Sequence, residues 1–260
     1  MNRPYIRTPV LLEVKNLNKS FGGVHAVNNV SFTLNSGIIK AIIGPNGAGK
    51  TTLFNIISGI LKANSGRVSF KGEDITGLNP HEIAERGIVR TFQNIKLAGH
   101  MSVLDNVMIG RHSKTRAGFF AAALSLPWTI KEEARTKEVC MEIMEMFSLT
   151  DLANEEVSNL PFGKQRAVEF ARALAADPEL LLLDEPASGL NIYETEELAE
   201  VIERIKNKGI TILLVEHDMS LVMDISDEIL VLNFGKEVAS GLPEKVQKNP
   251  EVINIYLGEG

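Results

Sequence analysis

Residues 41–54 read AIIGPNGAGKTTLF. No other stretch restricts the fold so tightly. An apolar run is followed by a glycine-rich turn, one lysine, two hydroxyls and a second apolar run. That order predicts a short strand, a loop shaped around a phosphate chain, and a buried helix over Lys50–Ile57 ended by Ser58–Gly59. Gly44-Pro45-Asn46-Gly47-Ala48-Gly49-Lys50-Thr51 fits G-x-x-x-x-G-K-[ST], with Thr52 next. Glycines let consecutive backbone N–H groups curl round an anion. Lys50 brings a charge to the β/γ-phosphates and Thr51 a hydroxyl to Mg²⁺. The helix that follows points its positive end at the same phosphates.

The rest of the chain alternates strands and helices around this unit. LLEVKNL (11–17) and VNNVSFTL (27–34) have period-two character, with Asn28–Asn29 and Asn35–Ser36–Gly37 as turn signals. Residues 38–43, 66–75 and 88–92 read as strands, and Asn79–Pro80 as a helix start. From 93 to about 160 helical patterns dominate, at Val103–Arg111 and Ile130–Phe147, with Gly163–Ala176 following. This suggests an inserted helical lobe. LLLLD (180–184) is a continuous apolar run, suited to a parallel strand buried on both faces. Ile192–Lys208 is amphipathic, with acids near its start, lysines near its end and Gly209 as a C-cap. Residues 210–216 and 228–233 complete the strand set.

Composition narrows the function classes. The 260 residues carry 27 basic and 33 acidic side chains, a formal charge of -6. Without a basic arm, non-specific nucleic-acid binding is disfavoured. Cys140 is the single cysteine, which excludes a disulfide framework and suits a reducing cytosol. The N-terminus lacks the apolar run of a signal peptide, and no segment approaches the ~20 apolar residues of a spanning helix. Membrane association is expected only through a partner or a surface patch.

A second acidic element accompanies the phosphate loop. LLLLDEP places Asp184 at the end of a buried strand, where it would hold Mg²⁺ directly or through water. Glu185 follows and is placed to orient and polarise an attacking water.

Together with RTFQN (90–94), NLPFGKQRAVEFARAL (159–174), SGLN (188–191) and VEHDM (215–219), these motifs resemble the ATP-binding cassette ATPases. The resemblance runs from about Leu11 to the C-terminus. FGGVHAV, GPNGAGKTTLFN, RTFQNIKL, LPFGKQR and the tail NPEVINIYLGEG are similar, more narrowly, to the LivG-type ATPase subunits of branched-chain amino acid importers.

The resemblance implies an α/β P-loop NTPase fold: a RecA-like core, an antiparallel β subdomain and an inserted helical subdomain. It implies a single ATPase domain over 11–260 after an N-terminal extension of residues 1–10. The catalytic and β lobes would span 11–92 and 161–260, and the helical lobe about 93–160. By the same resemblance Phe21 stacks on adenine, Gln93 senses Mg²⁺ and water, and His217 contacts the γ-phosphate. Leu160, Pro161, Phe162, Gly163 and Lys164 form the signature that faces the nucleotide of a second ATPase subunit. ATP and Mg²⁺ are the implied ligands. The implied partners are that second ATPase, two integral membrane permease subunits and, indirectly, an extracytoplasmic substrate-binding protein. Nucleic acid is not among them. The expected location is the cytoplasmic face of the inner membrane, held peripherally.

Two departures matter. The family signature usually reads Leu-Ser-Gly-Gly-Gln, whereas this chain has Leu160-Pro161-Phe162-Gly163-Lys164, without the serine hydroxyl. Pro161 still suits a helix start, whose N-terminus offers about +0.5 charge. Asn191 replaces the usual aspartate of the next loop, and an N-cap for the 192–208 helix is its simpler reading. If the partner ATPase is a distinct subunit, the two composite sites should be unequal. The segment 111–128, RHSKTRAGFFAAALSLPW, is basic then apolar. It reads as a solvated basic loop before a packed helix, with a contact to the permease or the lipid surface as the alternative. Among rival functions, soluble cassette ATPases usually carry two cassettes or a long coiled coil, absent here. The signature and His217 argue against a small-molecule kinase, and Glu185 against a non-hydrolysing module.

Overall fold

The computed structural model describes residues 9–91, 95–112 and 127–257. Gln93, Phe119 and Phe120 therefore lie outside the described residues. The chain starts with a long antiparallel pair, β1 (Val10–Phe21) and β2 (Val24–Asn35). Phe21 is paired with Val24 across a two-residue turn at Gly22–Gly23, where both φ angles are positive. The expected turn at Asn28–Asn29 is not there, because both residues lie inside β2. Asn29 instead takes φ +56° at an irregularity, and its side chain accepts a hydrogen bond from Asn16, itself at φ +47°. Asparagine tolerates this conformation better than most residues, so a composition that suggests a turn here makes a bulge.

Next come β3 (Ile39–Ile43) and α1 (Lys50–Ile57), the helix falling on the expected residues. The stretch 66–75 is not one strand. It breaks at Lys71–Gly72 into β4 (Ser65–Phe70) and β5 (Glu73–Asp74). Asn79 caps α2 (Pro80–Glu85) in a capping box with Glu82, and β6 follows at Ile88–Arg90. Among the described residues, the α-helices between β6 and β7 are α3 (Val103–Gly110), α4 (Pro127–Met146) and α5 (Phe162–Ala175). Then come β7 (Leu180–Asp184), α6 (Ile192–Asn207), β8 (Thr211–Val215), α7 (Met219–Ile225) and β9 (Glu228–Asn233). The C-terminal part, for which the sequence pattern gave no element, contains β10 (Lys236–Gly241), α8 (Pro243–Gln247) and α9 (Pro250–Leu257).

Two sheets organise these elements. One is antiparallel, in the order β2-β1-β4-β5. The other runs β10-β9-β3-β8-β7-β6 and is parallel except at its β9–β10 edge. The parallel sheet divides the core in two. Ile39, Ala41, Ile43, Leu181 and Leu183 face the helices α3 to α7. Ile42, Leu180 and Leu182 face α1 and the antiparallel sheet, among Leu53, Phe54, Val14 and Phe32. Alternate residues of β3 and β7 thus enter different cores, which is why β7 is apolar up to Asp184 and β3 is apolar except at Lys40, whose buried ammonium pairs with Glu228. Burying a residue such as Leu181 on each face contributes about 1.5–3 kcal/mol.

Candidate functional site

The parallel strands β3, β8, β7 and β6 lie side by side in that order. Their carboxyl ends lead into the phosphate loop, Glu216–His217, Asp184–Glu185 and Arg90, respectively. Ligands of open parallel sheets bind along this edge. Register keeps the groups level: Val215 pairs with Ile42 on one side and Asp184 on the other.

The phosphate loop is shaped by close backbone packing. Gly44 has φ +147°, and a Cβ there would lie 2.0 Å from the Leu232 carbonyl oxygen. Gly49 has φ +102°, and its Cβ would lie 2.1 Å from the Ala26 carbonyl oxygen of β2. Only glycine meets both demands. Gly49 is the N-cap of α1 and offers no side-chain cap, so the first N–H groups of the helix are left for an anion. Asn46, Gly47 and Thr51 are exposed; Ala48 is buried and Pro45 and Thr52 are partly buried.

The Lys50 ammonium is buried and donates to the carbonyl oxygens of Gly44 at 2.5 Å and Pro45 at 3.0 Å. Burial lowers its pKa, and the carboxylates of Glu185 and Asp184 work in the opposite direction. Those two acids therefore lie within electrostatic reach of the lysine.

Asp184 is buried and accepts a 2.6 Å hydrogen bond on Oδ2 from Arg90. Glu185 takes φ +47°, unusual for a non-glycine residue, while its N–H still donates to the Val215 carbonyl. The twist occurs where a strand must present an acid to the sheet edge. His217 is exposed, and its Nδ1 lies 3.8 Å from Glu185 Oε2 and 3.6 Å from Glu216 Oε2.

Glu216 carries more structure than its place in VEHDM suggested. It is fully buried. Oε1 accepts from the Ala187 N–H at 2.8 Å, and Oε2 from the N–H groups of His217 at 2.8 Å and Asp218 at 3.2 Å. One carboxylate thus clamps the loops after β7 and β8 together. Sequence gave Glu216 and Arg90 no role, because their partners come from distant segments.

Phe21 is half exposed at the tip of the β1–β2 hairpin, with the Lys19 ammonium 5.2 Å from its ring centre. The contact between Ala26 and Gly49 brings β2 of this hairpin against the phosphate loop.

The segment 160–164 stands at the start of α5. Leu160 is buried, Pro161 is the N-cap without a side-chain hydrogen bond, and Phe162 is half exposed. The Phe162 ring packs on Gly189 of the SGLN loop, where a Cβ would approach it to 3.2 Å. Gly163 faces the Glu194 carboxylate, and Lys164 lines a cavity of about 480 Å³ behind this helix with Phe170, Glu197 and Arg204. The cavity is separate from the phosphate loop. Asn191 caps α6, its side chain accepting from the Glu194 N–H while Glu194 accepts from the Asn191 N–H.

Hydroxyl and carboxylate oxygens, from Thr51, Asp184 and Glu185, suit a hard cation such as Mg²⁺. Among the described residues no group of three or more His, Cys, Asp or Glu side chains forms a self-sufficient metal site. No helix among the described residues is long and apolar enough to cross a membrane.

Comparison with known proteins places this geometry. Residues 27–188 match a family model described as "ABC transporter", and residues 236–260 one described as "Branched-chain amino acid ATP-binding cassette transporter". The chain is 44% identical, over 96% of its length and 98% of the relative's, to the high-affinity branched-chain amino acid transport ATP-binding protein LivG of Escherichia coli. It is similar to the ADP conformation of MJ1267, an ATP-binding cassette of an ABC transporter. There the TM-score is 0.85 at 35% identity, covering 96% of this chain and 100% of the other. It is also similar to a dimeric post-hydrolysis state of the cassette MJ0796 bound to ADP and Pi. That match has a TM-score of 0.73 at 25% identity, covering 90% of this chain and 99% of the other.

Proposed function

This chain belongs to the ATP-binding cassette transporter family, and from that premise we propose that it is the ATP-hydrolysing subunit of a branched-chain amino acid importer. One observation carries the reading. A phosphate loop, two acids and a histidine meet at the same sheet edge, in a chain whose C-terminal segment also matches the branched-chain family model.

In this reading the phosphate loop from Gly44 to Thr52 holds the ATP phosphates, and Phe21 stacks on the adenine. Thr51, Asp184 and Gln93 would hold Mg²⁺, which would supply positive charge against the phosphoryl oxygens. Lys50 stabilises the charge developing on those same oxygens. Glu185 orients the attacking water and accepts its proton, and His217 donates toward the γ-phosphate. The strained backbone at Glu185 and the Glu216 clamp keep base and histidine in register, so little reorganisation is left for the reaction itself.

We assign residues 11–92 and 161–260 to the catalytic and β lobes, and about 93–160 to the helical lobe that transmits motion through Gln93. The nucleotide is closed by a second cassette subunit, a distinct paralogue, whose signature faces it. Leu160 to Lys164 of this chain face the partner's nucleotide in turn. The assembly adds two integral membrane permease subunits, with an extracytoplasmic binding protein delivering the amino acid. This chain lies on the cytoplasmic face of the membrane.

Because Pro161 replaces the signature serine, the two composite sites are unequal, and the site using Lys50 and Glu185 does most of the hydrolysis. The test is made in the assembled complex. Glu185→Gln should keep nucleotide binding and arrest turnover, Lys50→Ala should lose binding, and the matching Glu→Gln change in the partner should cost much less. Equal losses from the two glutamine variants would overturn the inequality. Undiminished turnover in Glu185→Gln would remove the catalytic assignment.

A further inference from the structure

We propose that Arg90 is a positioning residue for the metal, holding the Asp184 carboxylate in the one orientation that presents its free oxygen to the cation. The proposal rests on the reading of Asp184 as a metal ligand. Arg90 ends β6 and is buried with its partner, the side chains being 7% and 8% exposed. Its guanidinium reaches two elements at once, β7 and α1. One terminal nitrogen donates to Asp184 Oδ2 at 2.6 Å, at the end of β7. The other donates to Asn55 Oδ1 at 2.7 Å and Ser58 Oγ at 2.8 Å, on α1 and its C-cap. The guanidinium carbon also sits 5.6 Å from the centre of the Phe54 ring.

These contacts decide between two roles. A loosely held arginine would stand in for the cation and leave when it arrives. An arginine pinned by two neutral acceptors and stacked on a buried ring cannot leave without stranding several polar atoms, each at a cost. It acts as a fixed bracket. Oδ2 is taken up by the bracket, and no hydrogen bond to Oδ1 is present among the described residues. Because α1 begins with Lys50 and Thr51, the same guanidinium ties the phosphate loop's helix to the acid opposite it. The planar fork is what allows this, since a lysine ammonium is a point charge without the paired geometry. Hydrogen-bonded supports of metal ligands typically alter metal affinity 10–100-fold when lost. Three residues past Arg90 the chain reaches Gln93, so the bracket also anchors the strand that leads to the second metal-sensing side chain.

The test measures Mn²⁺ binding to the full chain by electron paramagnetic resonance, with a non-hydrolysable ATP analogue, alongside analogue affinity without metal. Arg90→Gln should weaken Mn²⁺ binding about 10–100-fold and leave metal-free nucleotide affinity unchanged. Arg90→Lys should fail to restore it, and Asn55→Ala should shift it the same way by less. Should Arg90→Gln not fold, Asn55→Ala decides the matter. Asp184→Asn separates the two levels of argument: unchanged Mn²⁺ affinity there removes the metal-ligand reading itself. If Asp184→Asn loses Mn²⁺ while Arg90→Gln and Asn55→Ala keep it or bind it more tightly, the positioning role is overturned. A matching loss of metal-free nucleotide affinity overturns it too, as a general structural defect.

Discussion

Gly49→Ala tests whether the phosphate loop is shaped by packing or only by its backbone angles. The added Cβ would stand 2.1 Å from the Ala26 carbonyl oxygen, 3.3 Å from the Ala26 carbonyl carbon and 3.4 Å from Gly235 Cα. All three neighbours are backbone, so relief requires β2 or the turn after β9 to move by about 1 Å. Such overpacking costs about 1–3 kcal/mol. The residue must also hold φ +102°, a sparsely populated region for alanine that costs about 1–3 kcal/mol more. Gly47 supplies the control: φ is +79°, but nothing lies within 4 Å of its added Cβ. Gly49→Ala should therefore lose about 2–6 kcal/mol and Gly47→Ala, with the φ cost alone, about 1–3 kcal/mol. At about 2–4 °C per kcal/mol for a chain of this size, the packing cost alone should separate the melting temperatures by about 2–12 °C. Urea unfolding with unchanged m-values, together with nucleotide titration, measures both effects. Equal destabilisation by the two variants would refute the packing argument, leaving the φ angles as the whole explanation.

Glu216→Gln should destabilise by about 2–3 kcal/mol, because an amide nitrogen would face backbone N–H groups that now share a charged acceptor. Turnover should fall with it while nucleotide affinity holds, and unchanged stability would show that the clamp has no energetic role. Cys140 is fully buried, and burial pushes its thiol pKa up, the nearby Arg111 charge offsetting only part of this. With the folded pKa above the unfolded value, the buried neutral thiol favours the native state below about pH 8.5, and this contribution is lost as pH rises through the folded pKa. Cys140 should accordingly resist an aromatic disulfide reagent at pH 8 and react at once in denaturant; stoichiometric labelling of the folded protein would contradict this.

The local parts of the site were legible because they are written in contiguous residues. Strand, glycine loop, lysine and helix follow one another between Ala41 and Ile57, and LLLLDE carries both the burial of β7 and the acids at its end. The C-terminal β10, α8 and α9 were not legible: β10 is half-exposed with little alternation, and both helices are short, so packing of β10 and α8 on β9, and of α9 on α8 and β10, decides their form more than periodicity does. Asn28–Asn29 misled for a related reason, since a residue that tolerates positive φ serves a bulge as well as a turn. What the sequence by itself determined is the inventory: a phosphate loop, an acid pair, a histidine and a family. Only the tertiary structure decided their order in space. The chain makes β3, β6, β7 and β8, but the sheet sets them as β3, β8, β7 and β6. That rearrangement puts His217 beside Glu185 and lets Arg90 reach across to Asp184 and Asn55. Strand pairing is a long-range choice made by burial on two faces at once, and no local run of residues encodes which neighbour a fully apolar strand will take.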